Sequence, residues 1–138
     1  MSSNSSPIEL GHFITAIKDI SQENIESVKS QLRNSITKLV ETNQELQVEI
    51  EGSKKKLQQL KPEESHDDLR DDILLFQESI DENEKVITDQ QLRVAALLEE
   101  LVARNLITEE AKRSELQEIM KISQQGEGKE GEKEGVYL

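Results

Sequence analysis

In the second half of the chain, seam positions recur at alternating steps of four and three. They are Leu69, Ile73, Phe76, Ile80, Asn83, Ile87, Gln90, Val94, Leu97 and Leu101. No other feature constrains the fold as tightly. A period of 3.5 residues keeps one stripe facing a partner helix, which is the pattern of a coiled coil. A second stripe precedes it, through Ile25, Val28, Leu32, Ile36, Leu39, Leu46, Ile50, Leu57 and Leu60. Asn43 and Ser53 complete its seam from Ile36 onward. The extra step of four between Leu32 and Ile36 is a stutter, which locally changes the supercoil.

Between the stripes lies Lys61-Pro62-Glu63-Glu64-Ser65-His66-Asp67-Asp68. Pro62 cannot sit inside a helix and pushes its predecessor out of helical geometry. The expectation is an antiparallel hairpin, with arms over 21–60 and 69–104 and a loop over 61–68. Ser65 or Asp67 is the expected cap of the second arm. Antiparallel arms set a positions against d positions. Residue numbers summing to 133 satisfy this throughout and place Asn43 opposite Gln90 and Ile50 opposite Asn83. The two amides of an Asn43–Gln90 layer would fix the register at some cost in stability. Asn43, Asn83 and Gln90 are therefore the candidate register-setting residues.

Composition supports narrow seams rather than a deep core. Hydrophobic residues make up 33% of the 138 and aromatics 2%, namely Phe13, Phe76 and Tyr137. A broad core needs more bulky apolar surface to offset chain entropy. The flanks follow from local signals. Residues 1–6 are polar and expected to be disordered. Ser6-Pro7-Ile8-Glu9 predicts a capped start for a short amphipathic helix over 7–20. Ser21 is the expected cap of the first arm, and Asn105 the expected end of the second. Thr108-Glu109-Glu110 predicts a helix over 107–124, with Ala111, Leu116, Ile119, Met120 and Ile122 on its apolar face. The acidic Gly/Glu/Lys stretch within 125–138 holds no core-forming run and is expected to be disordered. The predicted class is all-α: an antiparallel two-helix coiled-coil hairpin with short N- and C-terminal helices and a disordered acidic tail.

Chemistry is sparse. A net charge of −12 repels phosphate backbones and anionic lipid surfaces, so neither nucleic acid nor membrane is an expected partner. There is no cysteine, and His12 and His66 stand apart from any metal-binding or catalytic spacing. No cofactor, metal site or catalytic residue is expected, and the reading is of a soluble intracellular non-enzyme that binds another protein. Two apolar features are candidate partner-binding elements. One is the face formed by Phe13, Ile17 and Ile20, which either packs back near Leu32 and Leu101 or docks a partner helix. The other is the ending Val136-Tyr137-Leu138, which resembles the C-terminal motif by which proteasome activators dock between subunits of the proteasome α-ring.

Three blocks carry a wider resemblance. They are Pro7-Ile8-Glu9 through Phe13, Ala16 and Ile17 to Ile25; Asn34-Ser35-Ile36-Thr37-Lys38-Leu39 with Thr42, Asn43 and Leu46; and Phe76-Gln77-Glu78-Ser79-Ile80 through Ile87 to Arg93, Val94, Ala96 and Leu97. On these the chain resembles the fungal translation machinery-associated protein 17 family, also called the ATPase-dedicated chaperone. The resemblance spans Pro7 to about Leu101. It implies a stress-responsive assembly chaperone of the proteasome regulatory-particle base. Such a chaperone would bind the sixth triple-A ATPase subunit near its N-terminal coiled coil and promote pairing with the third, in cytoplasm and nucleus. The alternatives are a prefoldin-like chaperone subunit and a coiled-coil scaffold subunit of another complex.

Overall fold

A computed structural model describes residues 8–136, with side chains described through Gln124. Helix α1 spans Leu10–Ala16 and continues into a 3-10 turn, Ile17–Asp19. Two long helices follow, α2 over Gln22–Gln59 and α3 over Asp67–Ala103, then α4 over Glu109–Val136. No strand occurs among the described residues. The all-α class and the central hairpin are as the heptads predict.

Local chemistry explains most boundaries. The Ser21 side chain accepts from the Asn24 amide at 3.1 Å and opens α2. Lys61 to Glu64 closes the hairpin: the Glu64 amide donates to the Lys61 carbonyl at 3.0 Å, and the Glu64 carboxylate accepts from the Lys61 amide at 2.8 Å. Pro62 takes the second position of that turn, where its fixed φ fits. At the far end of α3, Asn105 adopts φ 61°. Its amide donates to Val102 and that of Leu106 to Leu101, which is a Schellman closure. Thr108 Oγ1 then accepts from the Ala111 amide at 3.0 Å and starts α4.

Three expectations are corrected. The residue preceding α3 is His66, with no side-chain cap bond, rather than Ser65 or Asp67. Ser65 instead accepts weakly from the Asp67 amide at 3.4 Å, outside helix geometry. Ile8 and Glu9 are not helical, so α1 begins at Leu10, with Glu9 extended at ψ 149°; Ser6 and Pro7 lie outside the described residues. Helix α4 is described to Val136, and the side chains of the expected disordered tail beyond Gln124 lie outside the description.

The third correction is the register. Asn83 Nδ2 donates to Asn43 Oδ1 at 2.9 Å, so facing residue numbers sum to 126, one heptad from the expected pairing. Asn43 meets Asn83, not Gln90. The helix ends give the reason, because Gln59 and Asp67 also sum to 126. A seven-residue connection delivers both arms at the same height, and the alternative would leave a heptad of α3 overhanging the turn. On the same register Ile36 stands opposite Gln90, and Ile25 at the height of Leu101. Gln90 Oε1 is buried without a protein partner. Such an oxygen costs stability, so Gln90→Leu should raise the unfolding free energy by about 1 kcal/mol in urea titrations.

Packing is uneven along the hairpin. Ile25, Ile36, Val94, Leu97, Leu98, Leu101 and Ile119 are fully buried at the open end, against Ile50 alone near the turn. Val40 and Leu98 join the core although neither lies on the two-helix seam. They sit on the flank covered by α4. The fold is thus a bundle at one end, from which a two-helix finger projects.

Candidate functional site

The open end is closed by two arginines, Arg93 in α3 and Arg104 just past its end. Arg93 is 6% exposed. It donates through Nε to Asp89 at 2.6 Å and through a terminal nitrogen to the Ile8 carbonyl, and its guanidinium lies 5.0 Å from the centroid of the Phe13 ring. One heptad and a half further along, Arg104 donates to the Ile17 and Lys18 carbonyls at 3.0 and 3.2 Å and to Glu100 at 2.8 Å. Those carbonyls face outward from a short helix end, where a cation is favourable. The N-terminal helix is therefore held at both ends by its backbone. Its apolar face packs on the core: Ile17 is 4% exposed, with Phe13 and Ile20 against the same cluster as Leu32 and Leu101. The back-packing reading of this face holds, and Phe13, Ile17 and Ile20 do not form a free docking surface.

Helix α4 is fixed by charge as well as by Ile119. Glu115 accepts from Lys29 at 3.0 Å and from Arg33 at 3.2 Å, and Arg33 also reaches Glu118 at 3.3 Å. Gln91 donates to Ser123 Oγ at 2.5 Å. At the corner between α3 and α4, the Lys112 ammonium is held above its ordinary pKa. The bond to Glu99 is the main cause, acting against burial, with the charges of Glu109 and Glu99 adding to it. Met120 is not part of the seal, being 47% exposed at the rim of a groove of about 490 Å³. The groove runs between α2 and α3 beyond the docked part of α4, with Ile80 and Ile87 among its apolar lining and Gln44, Gln47 and Gln77 among its amides. Val136 is the last helical residue; its side chain, Tyr137 and Leu138 lie outside the description, and the C-terminal motif with them.

Among the described residues no group of three or more histidines and carboxylates is placed to hold a metal. His12 lies on α1 and His66 beside the turn, at different elements. No helix among the described residues is long and apolar enough to cross a membrane. What the surface offers is helix faces and grooves between helices. Arg93, Arg104, Val40 and Leu98 escaped the sequence reading. For Val40 and Leu98 a signal existed: both are apolar residues flanking the heptad seam, on the side where a third helix packs.

The arrangement defines a helical-hairpin protein with an added short N-terminal helix and a C-terminal helix. Within it, a family model described as the TMA17 helical domain matches residues 9–108, so the chain belongs to that family. The chain is similar to Translation machinery-associated protein 17 of Saccharomyces cerevisiae, 32% identical over 105 residues, covering 71% of this chain and 67% of the yeast protein. No solved structure matches. The family match ends at the cap of α4, so the ion-paired C-terminal helix is outside it.

Proposed function

We propose that the protein is an assembly chaperone for the base of the proteasome regulatory particle. In this reading it binds one free triple-A ATPase subunit, the sixth, promotes its pairing with the third, and leaves before assembly is complete. The family match over the whole hairpin carries the proposal. The structure is compatible with it, since a long two-helix finger can lie along a partner's coiled coil. Cytoplasm and nucleus are the proposed locations. A prefoldin-like role is less favoured, because prefoldin-type chains place β-hairpins between their helices and here the connection from α2 to α3 is seven residues without a strand.

Affinity capture of the tagged chain from stressed cells tests this. One or two regulatory-particle ATPases should co-purify, without the core particle and without finished regulatory particles. A stoichiometric complex lacking proteasomal subunits would instead favour the scaffold reading.

A further inference from the structure

We infer that the outer face of α3 from Asp67 to Glu82 docks a basic amphipathic helix of a partner protein. This rests on the protein-binding reading above and names the chemistry of the partner. Leu74 and Leu75 stand opposite the seam and are 63% and 59% exposed. Single exposed leucines are ordinary, but these two adjoin on one face, with Asp71 one turn before and Glu78 one turn after. Residues 67–82 carry seven carboxylates against one arginine. The helix dipole accounts for Asp67 and Asp68 in the first turn of α3, but its effect fades within that turn. It does not account for Glu78, Asp81 and Glu82. The Glu82–Lys85 pair, 3.5 Å apart and exposed, does little to neutralise the stretch.

The other described residues leave this face open: α4 hydrogen-bonds α3 at Gln91, and Phe13 of α1 lies against Arg93. A helix whose leucines interlock with Leu74 and Leu75 would set its own lysines and arginines beside Asp71 and Glu78. The burial supplies affinity and the charge supplies orientation and rate. An acidic or neutral helix would gain only the first.

The test uses the full chain and two labelled synthetic helices, one of leucine and lysine, the other with glutamate at every lysine. The lysine helix should bind at least about tenfold tighter, and more weakly as salt rises. Leu74→Ser/Leu75→Ser should weaken binding by about tenfold or more with helical circular dichroism unchanged. Val48→Ser, on the outer face of α2 and 69% exposed, should leave it unchanged. Equal binding of the two helices, or equal loss from both variants, would overturn the inference. So would self-association of the wild-type chain that the leucine variant abolishes, since Lys54, Lys55 and Lys56 at the same tip would make a second copy the occupant. An ATPase subunit that binds wild type and leucine variant alike sinks this face and spares the assembly reading. An ATPase subunit that binds neither, with the lysine helix still discriminating, does the reverse.

Discussion

Ile119→Ala is expected to cost about 3 kcal/mol, the usual range for emptying a fully buried isoleucine site being roughly 2–5 kcal/mol. Ile119 is 1% exposed and belongs to the main core, although it lies beyond the span the family model matches. The loss should fall first on the docking of α4, because that helix joins the bundle mainly through Ile119, partly buried Leu116 and Ile122, and the pairs to Lys29 and Arg33. Amide exchange over residues 111–123 should accelerate by about a hundredfold, the factor that roughly 3 kcal/mol implies if α4 opens locally. Exchange near the turn should change little. An unchanged exchange rate in α4 would mean that the hairpin holds together without it. Val40 and Leu98 would then need another cover.

Replacing Asn43 and Asn83 together by leucine should act in the opposite direction. The 2.9 Å amide bond between them lies in an otherwise largely apolar seam. Two half-buried leucines in its place should add about 3 kcal/mol to the unfolding free energy. The single variant Asn43→Leu should add less, because it leaves the Asn83 amide facing a methyl group. The expected cost of the double change is register. Spin labels at Glu45 and Asp81, which stand at the same height where residue numbers sum to 126, should give one distance in wild type and a second, longer population in the variant. A stability gain with one unchanged distance would show that the turn alone holds the register. No gain at all would contradict the pairing.

These two experiments probe different layers of what the sequence encodes. Helix identity and the hairpin were legible because their signals are local. The stripe from Leu69 to Leu101 is written within one helix, and Ser21, Asn105 and Thr108 act on backbone groups a few residues away. The burial of Ile17 with Leu101 was legible as one of two readings, since an amphipathic helix must cover its stripe somewhere. Nothing in the sequence marks Arg93 and Arg104 as clasps, because their acceptors, the carbonyls of Ile8, Ile17 and Lys18, belong to the backbone and every residue has one.

Register is the clearest divide between the two levels. A heptad pattern repeats every seven residues, so sums of 126 and 133 both place a against d, and matching amides by type favoured Asn43 with Gln90. The connection from Gln59 to Asp67 removes that degeneracy, because a short turn must release both arms at one height. The place of α4 was open for a similar reason. Its apolar stripe was visible, but Glu115 could select Lys29 and Arg33 only once the chain had reversed at Asn105 and laid the two helices side by side. Periodicity along a helix is a property of the chain, whereas the choice among equivalent neighbours depends on turn geometry and on charges far apart in sequence.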